Sequence, residues 1–310
     1  MNLKGKNIIS IRDFNRKQIE LILDTTEKME PIARGEKISK LMEGKILGTL
    51  FFEPSTRTRL SFTVAMQRLG GQVMGFVGKD MTSIAKGESL TDTIKVVEKY
   101  CDMIVMRHPV EGSARLAAEV SKKPIINGGD GANQHPTQTM LDLYTIRKLK
   151  GKIDGLNIAL LGDLKHGRVM RSLAYGASMF NAKLTLISPP GLEMSEYIIR
   201  EMKEKFNITP FETNDIGEGL QKADVLYICR IQKERFDDKT EAEKMQKAFR
   251  ITPEVLKQCN DDVVLLHPLP KVMEIDPRVD EMKYAKYFDQ AFYGVPVRMA
   301  ILGLLSGVIK

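Results

Sequence analysis

The sequence predicts an α/β fold of two doubly wound domains, each with a mainly parallel sheet of about four or five strands flanked by helices. Three observations lead there. Short apolar, β-rich runs recur along the chain with helical patterns between most of them, the alternation expected of parallel sheets covered on both faces. The 310 residues exceed the usual reach of one hydrophobic core, and 43% hydrophobic residues can fill two. A polar stretch with two glycines, Lys148 to Gly155, separates the runs into two sets of four and has the composition of a joint.

Taken in order, the predicted strands are 46–52, 73–77, 103–106 and 124–126, then 156–161, 184–187, 225–229 and 263–266. The first runs into a helical pattern in which Phe62, Ala65, Met66 and Leu69 recur until Gly70 and Gly71 stop it. The last segment, Val297 to Leu305, is apolar nearly all round, so its helix must be buried, and it is expected to pack back on the first domain. The expected domains are 1–135 with 291–310, and 136–290, with the active site in the cleft between them. Two polar stretches, 79–86 and 233–243, are expected to be mobile.

Charge narrows the function. The 47 basic residues exceed the 40 acidic ones by seven, but the two signs are interleaved. That pattern reads as steering for small anions or as a solvated surface, and against nucleic acid, since no basic tail, zinc-finger spacing or aromatic RNA-binding motif is present. No stretch approaches 18 uninterrupted apolar residues, so no membrane association is expected and the protein is placed in the cytoplasm. Cys101, Cys229 and Cys259 are odd in number and far apart, which points to a reducing compartment, buried thiols, no disulfide and no metal site.

The unusual polar clusters all follow predicted strands, and in open parallel sheets the carboxyl ends of strands form the ligand crevice. After the first strand comes Phe52-Glu53-Pro54-Ser55-Thr56-Arg57-Thr58-Arg59. At a helix N-terminus the free backbone N–H groups, three hydroxyls and the Arg57 fork suit a phosphate dianion; an ordinary Ser/Thr helix cap is the alternative. Arg107-His108-Pro109 follows the third strand, Asn127 to Gln138 the fourth, Gly162 to Arg168 the fifth, Arg230 to Arg235 the seventh and His267-Pro268-Leu269-Pro270 the eighth. Each has a structural alternative when taken singly: Arg107 could pair with an acid such as Glu111, His135 could be a loop histidine, and the 230–235 run could be solvated. The Leu269-Pro270 bond is a candidate for the cis form. The 162–168 turn lacks the G-x-G-x-x-G spacing and the chain has no phosphate-binding P-loop, so no nucleotide cofactor is expected.

Together these motifs, with Ala85-Lys86-Gly87-Glu88-Ser89 and Tyr293 to Ala300, resemble the catalytic chains of the aspartate carbamoyltransferases over essentially the whole length. The Ser-Thr-Arg-Thr-Arg string alone resembles the wider aspartate/ornithine carbamoyltransferase superfamily. The Arg-x-Gln-x-Glu-Arg and His-Pro-Leu-Pro strings separate the aspartate branch from the ornithine branch. The resemblance implies transfer of a carbamoyl group from carbamoyl phosphate to the α-amine of L-aspartate in pyrimidine biosynthesis, with no cofactor and no metal. It implies that Ser55, Thr56, Arg57, Thr58 and Arg107 hold the phosphate and that Thr58, Arg107 and His135 face the carbamoyl oxygen. Gln138 and the backbone of Pro268 and Leu269 take the carbamoyl NH₂ and the incoming amine, while Arg168, Arg230 and Gln232 hold the aspartate carboxylates. Ser83 and Lys86 are expected to reach in from an adjacent subunit, making a homotrimer the active unit. Whether separate regulatory chains join it is left open.

Four positions depart from the family pattern: Lys271 stands where Arg is more usual, Met273 where an acid is, His166 where Tyr is and Thr63 where Glu is. The alternatives to this reading are a carbamoyltransferase acting on ornithine or a related amine, and a nucleotide-binding or nucleic-acid-binding α/β protein.

Overall fold

The computed structural model describes residues 2–78, 83–232, 236 and 238–309. The polar stretches beginning at Lys79 and Lys233 therefore lie partly outside the described residues, and so does the side chain of Ser83. The chain forms two compact units, Met1–Tyr144 with Phe292–Lys310, and Thr145–Ala291.

The first unit begins with α1 (Arg16–Arg34), opened by a reciprocal cap between Asn15 and Gln18 and closed by Gly35 at φ +82°. There follow β1 (Ile46–Phe51), α2 (Thr56–Arg68), β2 (Gln72–Val77), α3 (Leu90–Val97), β3 (Met103–His108), α4 (Ser113–Val120) and β4 (Ile125–Asp130). All strand pairs are parallel, in the order β2-β1-β3-β4. Every residue of β4 is buried, and Leu50, Ile104, Met106 and Ile125 meet in one apolar cluster, as a sheet covered on both faces demands.

The chain leaves this unit inside α5 (Pro136–Lys150), between Tyr144 and Thr145, rather than at the start of that helix or in the polar joint at 148–155. The first half of α5 is anchored where it begins: Thr137, Thr139, Met140, Leu141, Asp142 and Leu143 are all buried. The second unit contains β5 (Asn157–Leu161), α6 (Arg168–Ser178), β6 (Lys183–Ile187), α7 (Glu196–Phe206), β7 (Phe211–Thr213), α8 (Ile216–Leu220), β8 (Val225–Ile228), α9 (Lys239–Ala248), α10 (Pro253–Leu256) and β9 (Val264–Leu266). Its sheet is again all parallel, in the order β7-β6-β5-β8-β9. The chain returns to the first unit inside α11 (Tyr287–Ser306), whose residues from Phe292 onward belong there.

The two sets of four strands expected from the sequence are thus four and five. The unforeseen β7 is three residues long at a sheet edge, with Phe211 and Glu212 exposed, so it carries no apolar run to read. Among the described residues no helix is long and apolar enough to cross a membrane.

Candidate active site

Each sheet reverses its strand order once, and the motifs after β1, β3, β5 and β8 fall at those two points, while those at 127–138 and 267–270 follow the neighbouring edge strands β4 and β9. In the first unit the reversal lies between β1 and β3, whose register sets Phe51 opposite Arg107. The Phe52 N–H donates to the Arg107 carbonyl at 2.9 Å, so Glu53 to Arg59 leave the sheet beside Arg107. The Arg107 side chain pairs with Glu53, Nε to Oε1 at 2.6 Å, not with Glu111. That bond holds a half-buried guanidinium whose charge reaches Arg57 at the start of α2.

Ser55 is the N-cap of α2 but makes no side-chain capping bond. Ser89, Asp215 and Thr252 at the same position of other helices accept from the backbone, while Ser195 at the start of α7, like Ser55, does not. The Arg57 guanidinium is held below the ordinary arginine range, first by partial removal from water and then by the nearby positive charge of Arg107. Two mutually repelling guanidiniums at a helix N-terminus with an uncommitted cap hydroxyl make a seat for an anion.

Behind this seat lie Thr58 and His135, both buried, with Thr58 Oγ1 3.5 Å from His135 Nε2. The loop that delivers His135 is organised by Asp130, 1% exposed. One of its carboxylate oxygens accepts from Asn127 Nδ2 at 2.8 Å and from the Gln134 N–H at 3.1 Å. The other accepts from the Gly112 N–H at 2.9 Å and Asn133 Nδ2 at 3.0 Å. Gly131 turns the chain at φ +52°, where a Cβ would lie 2.8 Å from the Pro109 carbonyl. Gln138, in the first turn of α5, donates from Nε2 to Asp142 Oδ1 at 2.9 Å.

In the second unit the reversal lies between β5 and β8, and the same rule places Gly162 to Arg168 beside Arg230 to Gln232. Gly162 has φ +125°, and a Cβ there would come within 2.1 Å of the Cys229 carbonyl, so only glycine fits between these strand ends. Buried Asp163 takes the His166 N–H at 2.9 Å and faces its ring nitrogen at 3.2 Å, shaping the turn into α6, whose first residue is Arg168. A cavity of about 410 Å³ is lined by Arg230, Glu243, Gln246, Lys247, Val272 and Met273. A larger one, about 570 Å³, sits at the amino ends of β5 and β6 and holds none of the motif residues.

The His-Pro-Leu-Pro turn follows β9 and contains the cis Leu269-Pro270 bond, with Leu269 at φ +57°. Its scaffold is buried. The Leu269 N–H donates to His267 Nδ1 at 2.8 Å, the His267 N–H donates to Gln290 Oε1 at 2.9 Å, and His267 Nε2 lies 2.9 Å from Glu274 Oε1. Burial raises the Glu274 carboxyl, but contact with His267 and backbone N–H groups outweighs it and holds the group below the usual glutamate range. Lys271, in place of the more usual arginine, pairs with Asp280 at 2.9 Å.

The structure therefore groups Ser55, Thr56, Arg57, Thr58, Arg107, His135 and Gln138 in the first unit, and Arg168, Arg230, Gln232, Pro268 and Leu269 on adjacent strand ends of the second. Lys86 stands apart, exposed at the end of the short 3₁₀ turn Ser83–Lys86. Sequence reading gave no individual role to Glu53, Asp130 or Asp142, although they stand in its motifs, and singled out neither Glu274 nor Gln246. The three thiols lie above the ordinary cysteine range through burial, Cys101 at about 11 and Cys229 at about 12.

Comparison with known proteins finds two consecutive family domains along the chain. Residues 6–148 match the carbamoyl-phosphate-binding domain, and residues 154–305 the aspartate/ornithine-binding domain, of the aspartate/ornithine carbamoyltransferases. The aspartate carbamoyltransferase catalytic subunit of Methanosarcina barkeri is 54% identical over 310 residues, all of both chains. The crystal structure of the M. jannaschii aspartate transcarbamoylase catalytic subunit superposes with TM-score 0.91 at 51% identity, covering 96% of this chain and 97% of that one. The Trypanosoma cruzi aspartate transcarbamoylase in complex with N-(phosphonacetyl)-L-aspartic acid gives 0.92 at 37% identity, with 98% and 96% covered. Two consecutive family matches and relatives of the same length leave one conclusion: the chain belongs to the aspartate/ornithine carbamoyltransferase family.

Proposed function

We propose that this protein transfers the carbamoyl group of carbamoyl phosphate to the α-amine of L-aspartate, releasing N-carbamoyl-L-aspartate and phosphate, a step of pyrimidine biosynthesis. The observation that carries the reading is the Arg57–Arg107 pair at the start of α2, beside a cap hydroxyl that makes no capping bond. That arrangement is costly as a helix end and apt as a phosphate seat.

The first unit takes carbamoyl phosphate. Ser55, Thr56, Arg57, Thr58 and Arg107 bind its phosphate, joined by Ser83 and Lys86 of an adjacent subunit in a homotrimer. Attack of the amine nitrogen builds negative charge on the carbonyl oxygen, which Thr58, Arg107 and His135 stabilise as fixed donors. Each such donor is worth about 3 kcal/mol where oxyanion contacts have been deleted. The carbon–oxygen bond to phosphate then breaks, and the departing phosphate accepts the amine's proton. Gln138 and the carbonyls of Pro268 and Leu269 hold the carbamoyl NH₂ and the incoming amine. Arg168, Arg230 and Gln232, with Lys86 from the neighbour, hold the two aspartate carboxylates, a task suited to planar forks. Holding two small anions together contributes roughly 7–11 kcal/mol of barrier lowering through positioning.

The test is formation of a ureido product from carbamoyl phosphate with aspartate against ornithine as acceptor. Product with aspartate is expected, and product with ornithine alone would overturn the assignment.

A further inference from the structure

We propose that Asp142 is a positioning residue that fixes the direction of the Gln138 side-chain amide and thereby lets the site tell a carbamoyl group from an acetyl group. The proposal rests on the reading above, in which Gln138 faces the carbamoyl NH₂.

A glutamine amide presents two ends of nearly equal shape and opposite chemistry, an acceptor oxygen and a donor nitrogen. Carbamoyl and acetyl phosphate are of similar size and differ in carrying NH₂ or CH₃. A pocket that only fits the shape cannot separate them, whereas one that offers an acceptor at that point can. The direction of the Gln138 amide is therefore the deciding variable.

Asp142 sets that direction. It lies four residues on along α5, on the same helix face, is completely buried, and takes the Gln138 Nε2 donor at 2.9 Å. An ionised carboxylate only accepts hydrogen bonds, so the nitrogen end is the end that must face it and Oε1 points the other way. The Asp142 charge also acts on a buried cation of the same unit. Arg298, 3% exposed, is pushed down to about 10 by burial, and the nearby charge of Asp142 opposes that shift. The buried Asp142 thus holds Gln138, which itself remains half-buried.

The test compares wild type with Asp142→Asn, measuring KM for carbamoyl phosphate and the competitive inhibition constant of acetyl phosphate, with melting temperature as the fold control. An asparagine offers both a donor and an acceptor, so it no longer dictates the Gln138 direction. The KM for carbamoyl phosphate should rise about tenfold while the acetyl phosphate constant stays within about twofold, so the ratio of the two collapses. Equal shifts in both constants, or none, would show Asp142 to be structural only. Loss of the countercharge for Arg298 could unfold the single variant; the double variant Asp142→Asn, Arg298→Met removes both buried charges and is read by the same ratio. Wild type alone also tests the idea, since equal binding of the two phosphates by the unaltered enzyme would end it. A wild type that forms no ureido product with aspartate would instead overturn the functional reading, which keeps the two failures apart.

Discussion

At the strand-order reversal of the first unit, Arg57 and Arg107 confront each other with Glu53 on one flank. At that of the second, Arg230 borders a cavity, and the neighbouring turn hangs on a buried His267–Glu274 pair. The first site is built of like charges set beside one another, and the second of backbone geometry held by a buried scaffold. A phosphate brings two negative charges of its own, so the first site is completed by its ligand. Recognition of an amino acid by its two carboxylates and amine depends on where the donors and carbonyls stand, so the second site must be shaped beforehand.

The largest expected effect tests the charge-built site. Arg57→Ala should lower kcat/KM by about 10³-fold, as loss of a charged donor to both phosphate and developing oxyanion implies. Its melting temperature should not fall, because the substitution removes a like charge from beside Arg107. Near-normal turnover would reduce the motif to a helix cap, and a large drop in melting temperature would show that the charge is structural, erasing the contrast between the units.

How much of this was readable beforehand follows the same division. Ser55 to Arg59 is contiguous, so its chemistry lies open in the sequence, and the strands on either side are apolar enough to place it. The pairing of Arg107 with Glu53 is not readable, because the partners are 54 residues apart and Glu111 is the nearer acid in the chain. It takes the register of β1 against β3 to choose between them. Asp130 and Asp142 look in sequence like any loop or helix acid, and their burial is a product of how β4 and α5 pack. In the second unit His-Pro-Leu-Pro announces a rigid turn, yet nothing local marks Glu274 as its support. The edge strand β7 escapes altogether, being three residues long and mostly exposed.

The second prediction tests the geometry-built site. Glu274→Gln removes one partner of a buried pair, which typically costs about 3–5 kcal/mol, and should lower the melting temperature by roughly 5–10 °C. The pH dependence has a definite sign. A carboxyl held below its ordinary value of 4.5 contributes stability fully above that value and loses it as pH falls through the lower folded value. The stability gap between wild type and variant should therefore be widest near neutrality and close on acidification. A gap constant between neutral pH and about pH 3 would mean that the Glu274 charge does not support the turn.

The smallest effect concerns Gln246 on α9, whose Nε2 donates to the Ile231 carbonyl at 2.9 Å. Ile231 is buried and sits between Arg230 and Gln232, so their side chains diverge from a backbone point that this bond holds in place. Gln246 also lines the cavity beside Arg230, yet in sequence it is one polar residue among many on a charged helix. Truncation in Gln246→Ala frees a half-buried carbonyl, a loss of about 1 kcal/mol, and should raise the KM for aspartate about fivefold. Binding of carbamoyl phosphate, measured alone by calorimetry, should be unchanged, because this bond holds neither its proposed ligands at the start of α2, in the other unit, nor the turn that carries the Pro268 and Leu269 carbonyls. If carbamoyl phosphate binding weakens in step with aspartate, the two sites are not built independently, and the division between a charge-made and a geometry-made half gives way to one coupled network.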